Sequence, residues 1–163
     1  MPAIQCGIFK GNNDRAIFVD RRELTGLIQD QFETAYQYVL AKINMGAKIE
    51  GMYREDVYEF LIGSIRELIA NAVVHRSYLE PGNIQIALYD NRLEITSPGM
   101  LPSGVSIEKM KNGYSKIRNR AIANAFSYMK IIENWGSGIP RILREFKEYR
   151  LREPELILME ILE

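Results

Sequence analysis

Cysteine and histidine are almost missing from these 163 residues, which contain one of each, Cys6 and His75. A single cysteine excludes an internal disulfide framework, and the pair is too few for a Cys/His zinc cluster. A cytoplasmic protein is the expectation. An excess of either charge is missing too: 21 Lys and Arg balance 21 Asp and Glu, so no global field draws the chain to nucleic acid or to an acidic membrane. No apolar run approaches the ~20 residues that span a bilayer, and MPAIQCGIFKGNNDR at the N-terminus lacks a secretory core. No membrane partner is expected. A Walker A loop, GxxxxGK(S/T), is absent as well, which excludes a helicase motor of that kind.

The chain has the length of one domain, 1–163, enough to bury roughly two thirds of its unfolded surface. IQCGIFK and AIFVDRR, separated by the turn-forming GNND, predict an N-terminal hairpin. From 24 to 44, Leu27, Ile28, Phe32, Ala35, Tyr36, Val39, Leu40 and Ile43 recur at helical spacing. Phe32, Tyr36 and Tyr38 on this helix cover either the core or a dimer partner, and core is the commoner outcome. MGAK is expected to break the helix, KIEGMYR to add a strand, and Asp56 to cap a second helix that runs to His75. Ile84, Ile86 and Leu88, then Leu93 and Ile95, alternate on either side of Asp90-Asn91, which predicts a second hairpin ending at Ser97-Pro98-Gly99. Beyond it lie a loop over 100–119 with a short helical piece at 107–111, helices over 120–128 and 139–149, and a terminal apolar LILMEIL expected as a strand. Five or six strands without regular βαβ alternation predict an α+β fold: a two-layer sandwich with a mixed sheet and helices on one face.

The 56–75 helix carries the most informative pattern. Leu61, Ile62, Ile65, Leu68, Ile69, Ala72 and Val73 form its expected core arc, and Ser64, Glu67, Asn71 and His75 fall on the other side. Gly63, Ala70 and Val74, beside that stripe, are expected to leave the backbone open to a close neighbour, as in a pocket wall. An ordinary solvated face with an incidental ExxxN is the alternative that spacing leaves open. Residues four apart on a helix stand side by side, so a carboxylate and an amide here share one small volume.

RELIANAVVHRSY (66–78), LEITSPGMLPSG, SKIRNRAIANAF and IIENWGSGIPRI, in this order, resemble the ATPase-like domain of RecG-like transcriptional regulators, a branch of the GHKL (Bergerat) ATP-binding fold shared by gyrase and the histidine kinases. The resemblance runs from about residue 7 to residue 146. It implies ATP with Mg²⁺ as ligands: Glu67 as the base that orients or deprotonates the attacking water, and Asn71 as the Mg²⁺ ligand. A single oxygen ligand with several waters is typical of Mg²⁺. His75 is either a ligand contact or a helix C-terminal cap that benefits from the dipole. ATP-hydrolysing relatives end the following strand in Asp-x-Gly, whose carboxylate accepts from the adenine amino group; here the triplet is Ser97-Pro98-Gly99. Gly99 keeps room for close approach, while a neutral Ser97 is the weaker acceptor. Gly136 and Gly138 match the glycine-rich box ahead of a helix, a geometry that attracts phosphate. Lys109, Lys111, Lys116, Arg118 and Arg120, with Glu108 the one acid among them, fall where the fold carries its ATP lid. Lys116 and Arg118 are the expected phosphate contacts, with a solvated loop as the alternative.

The resemblance implies a nucleotide-binding sensor or dimerisation domain, possible as a homodimer, that reaches DNA through a separate N-terminal Schlafen-type (AlbA-like) domain, this chain being a fragment of a longer regulator. An Mg²⁺-dependent ATPase and a degenerate, non-binding interaction scaffold are the alternatives.

Overall fold

The computed structural model describes residues 2–12, 17–50, 55–132 and 138–157, with the backbone alone at 45–50 and 55–57. Two long segments enter the sheet from the N-terminus as a hairpin, β1 (Ile4–Lys10) and β2 (Ile17–Leu24), and pair antiparallel. Two long helices follow, α1 (Ile28–Glu50) and α2 (Glu55–His75). The chain returns as β3 (Ile84–Leu88), parallel to β1 in the register Ile4 to Ile84, Cys6 to Ile86 and Ile8 to Leu88, then turns into the antiparallel β4 (Leu93–Thr96). The order β2-β1-β3-β4 makes a mixed four-stranded sheet. Three shorter helices complete the described residues: α3 (Ile107–Lys111), α4 (Arg120–Tyr128) and α5 (Gly138–Glu148).

Alternation fixes the two faces of this sheet. Ile4, Cys6, Ile84, Ile86 and Leu88 are buried under the helices, while Gln85 between them is exposed. Each such side chain removed from water contributes about 1.5–3 kcal/mol. From the helical layer come Phe32, Ala35, Tyr38 and Val39 of α1, the α2 core, and Ala123 and Phe126 of α4, with the Phe32 and Phe126 rings 5.4 Å apart. Phe32 and Tyr38 are thus core residues, and Tyr36 is half-buried, stacked on Phe32. Tyr38 also donates to Asp20 on β2, 2.9 Å away, tying α1 to that edge strand. The result is the α+β two-layer sandwich expected.

One local expectation fails. MGAK does not end the first helix, which continues through Gly46 to Glu50, so residues 48–50 of KIEGMYR are helical instead of extended. One glycine in a helix interior costs about 1 kcal/mol, too little to stop a helix whose preceding turns are already nucleated and packed. The remaining residues of that segment, 51–54, lie outside the described ones. At the other end 151–157 form no regular element; the strand expected of LILMEIL (156–162) falls almost wholly on 158–163, outside the described residues. No described helix is long and apolar enough to cross a membrane.

Candidate functional site

The site is built on α2. Its C-terminal half is enclosed nearly all round: Ile65, Ile69, Ala72 and Val73 are buried as the periodicity predicts, and so are Ala70 and Val74. Those two were expected to border an open pocket; instead they are core, because the sheet covers one side of the helix and α4 another. Leu61, Ile62 and Leu68, expected in the core arc, are only half-buried. Gly63 alone of the three small residues is exposed.

Glu67 is 9% exposed, and its carboxylate lies against the first residue of α5. A methyl group on Gly138 would stand 2.3 Å from Oε1, 2.9 Å from Cδ and 3.1 Å from Cγ of Glu67. The glycine therefore makes room for a protein carboxylate at a helix N-terminus, where the dipole favours a negative charge. Asn71, one turn along, is half-buried, and its side chain has no hydrogen bond to another described residue. Gly136 lies outside the described residues.

The C-terminal end of α2 is knitted to two other segments. The Ser97 hydroxyl donates to the Ala72 carbonyl at 2.9 Å, and the Ser77 amide donates to Pro98 O at 2.9 Å. Arg118 donates through one nitrogen to His75 O at 3.0 Å and through the other to Met100 O. The Asn119 amide nitrogen donates to Val74 O at 2.8 Å and to Arg76 O at 2.6 Å. The Ala72, Val74 and His75 carbonyls are among those a helix leaves without intrahelical partners, and a guanidinium at that end also complements the dipole. Gly99 sits inside the junction at φ +107, where an added methyl would meet Arg118 Nη1 at 2.5 Å and Ser77 Cβ at 2.6 Å. No L side chain combines that backbone angle with that spacing at low cost.

Arg118, expected on phosphate, spends its guanidinium on backbone carbonyls. Ser97 has its proton on Ala72 O, which leaves the oxygen lone pairs as its only face toward a ligand. Lys116 is exposed and reaches Ser103 O at 3.5 Å. Lys109 bonds Gly104 O at 2.9 Å and Lys111 pairs with Glu153 at 3.4 Å, so much of the basic segment holds its own loop together. His75 is held below the ordinary imidazole range by burial first and by the Arg118 guanidinium second; its bond to the Lys116 backbone works the other way. It is kept neutral where the loop leaves α2. Cys6 is a buried thiol, pushed by burial up to about 11, and inert.

Sequence reasoning missed Asn119 and Ser77. Asn119 precedes α4 and makes no side-chain cap there, because its amide is turned toward α2. No spacing signal links residue 119 to residues 74 and 76; only the tertiary approach does.

Residues 82–161 match the family described as "Putative ATP-dependent DNA helicase recG C-terminal". That segment contains Ser97, Gly99, Lys116, Arg118, Gly136 and Gly138, and begins after α2. No curated protein matches the sequence. Among solved structures, the DIP2311 protein from Corynebacterium diphtheriae is similar to it with a TM-score of 0.75 and 21% identity over 93% of this chain. The match covers 30% of that protein's length, and at that identity what is shared is the fold. Over 82–161 the chain is thus similar to that RecG C-terminal, ATPase-like family.

Proposed function

We propose that this domain binds an adenine nucleotide with Mg²⁺ along the Glu67, Asn71 and His75 side of α2, and serves as the nucleotide-sensing or dimerisation half of a transcriptional regulator. The supporting observation is the pair on α2: a half-buried amide with no hydrogen-bond partner among the described residues, one turn from a buried carboxylate. The donor chemistry fits Mg²⁺, which takes one or two protein oxygens and keeps several waters. No group of three or more His, Cys, Asp or Glu that could form a closed cage occurs among the described residues. Asn71 would hold the metal, which supplies charge neutralisation on the phosphates when bound. The Ser97 oxygen is a neutral acceptor for an adenine amino group, and Gly99 keeps the backbone close behind it. Lys116 is an exposed cation of the basic segment placed to meet phosphate. DNA contact belongs in this reading to a separate Schlafen-type (AlbA-like) domain, and the regulator works as a homodimer in the cytoplasm.

A second reading, an ATPase, is favoured by the placement of Glu67. A carboxylate so placed, one turn from the amide that would hold the metal, can accept a water proton, as a general base must. Titration calorimetry with ATP and a non-hydrolysable analogue, with and without Mg²⁺, tests both. Binding that needs Asn71, proceeds without phosphate release in the unmodified protein and is unchanged in Glu67→Gln supports the sensor. Phosphate release that Glu67→Gln abolishes supports the enzyme. No heat with either ligand refutes both and leaves an interaction scaffold.

A further inference from the structure

An open groove of about 210 Å³ runs between the N-terminal half of α2 and α5, lined by Glu59, Phe60, Gly63, Ser64, Arg141 and Glu145. By helical spacing it begins one turn before Glu67 on α2 and one turn after Gly138 on α5, so the contact between those two residues stands at one end of it. The Phe60 ring is fixed by the rings of Phe146 and Tyr149, at 5.1 and 5.2 Å. Ser64 is only 4% exposed, yet its hydroxyl has no hydrogen bond to another described residue. That oxygen is not among the sealed atoms without a partner, so it is reached from the groove it lines. The volume is below the roughly 300 Å³ at which drug-sized sites begin, and suits a group the size of one side chain. Two carboxylates face a single guanidinium, and Arg141 already has a contact of its own, so the lining is net acidic around an aromatic ring.

We infer that this groove is a second binding site, for a guanidinium or ammonium group carried on a short apolar stem. Glu145 and Glu59 accept the charged hydrogen bonds, Ser64 Oγ accepts a further one, and the stem lies along Phe60 where a cation is also drawn to the ring. Gly63 leaves the groove open: a methyl group built there meets nothing within 4 Å. The inference is independent of nucleotide binding and is tested without nucleotide.

The probe is agmatine, titrated into isotopically labelled protein and followed by amide chemical shifts. Shifts centred on Gly63, Ser64, Arg141 and Glu145, saturating at about millimolar concentration, are expected. Glu145→Gln should weaken them about tenfold, and Gly63→Leu, which fills the groove without a clash at Cβ, should abolish them while urea unfolding shows an intact fold. The uncharged analogue 1-butanol should produce none. Absence of agmatine shifts, equal shifts with butanol, or agmatine shifts that survive Gly63→Leu would overturn the assignment.

Discussion

Replacing Gly138 by alanine tests how closely Glu67 is held. The added methyl would lie 2.3 Å from Oε1, 2.9 Å from Cδ and 3.1 Å from Cγ of Glu67. The outer two atoms can swing aside by rotation about the last side-chain torsions, but Cγ moves only if a torsion nearer the backbone changes, and the side chain is buried. Overpacking of this kind costs about 1–3 kcal/mol. Alanine regains helix propensity worth at most about 1 kcal/mol, less at a first helical residue, so a net loss of about 1–2 kcal/mol is expected. Gly63→Ala is the control, because the same methyl on α2 meets nothing; it should stabilise by up to about 1 kcal/mol. Urea unfolding followed by circular dichroism reads both as midpoint shifts at constant slope. In a Glu67→Ala background the clashing atoms are gone, and the Gly138→Ala penalty should vanish, a non-additivity that a double-mutant cycle measures. If Gly138→Ala stabilises as Gly63→Ala does, or if its penalty persists without the Glu67 side chain, the close approach is not why glycine stands there.

Gly99→Ala combines a left-handed φ with contacts at 2.5 and 2.6 Å, and should cost more than about 3 kcal/mol; a urea midpoint within error of wild type would contradict this. Asn119→Ala leaves the Val74 and Arg76 carbonyls without their side-chain donor, for an expected loss of about 1–3 kcal/mol, with faster hydrogen exchange at the end of α2. Exchange there unchanged from wild type would show that the amide is dispensable. His75 gives a pH dependence of known sign: its folded value lies below the ordinary 6.5, so the unfolded chain takes up a proton that the native chain refuses. Stability from this residue is present above 6.5 and is lost as pH falls from there toward the folded value. His75→Gln should flatten that part of a Tm-against-pH profile, and an identical slope in both proteins would rule the residue out as its source.

Local pattern carried much of the secondary structure. The 107–111 and 120–128 helices begin and end as expected, and the alternation of Ile84, Ile86 and Leu88 against Leu93 and Ile95 placed β3 and β4, because each rests on a periodicity set by neighbours in sequence. The run of Glu67, Asn71 and His75 down one side of α2 is legible for the same reason: 3.6 residues per turn is a property of the helix, independent of what surrounds it.

Tertiary structure decided the rest. Parallel pairing of β1 with β3 joins residues about 80 apart, and no local rule selects that partner. Ala70 and Val74 became core in the packed half of α2, whereas Gly63 stayed open on the groove that α2 forms with α5. Arg118 donates to the His75 carbonyl at the end of α2, a partner that only folding brings within its reach. A side chain's chemistry is written in the sequence, but the group that satisfies it is fixed by which backbone atoms the fold leaves without partners within reach.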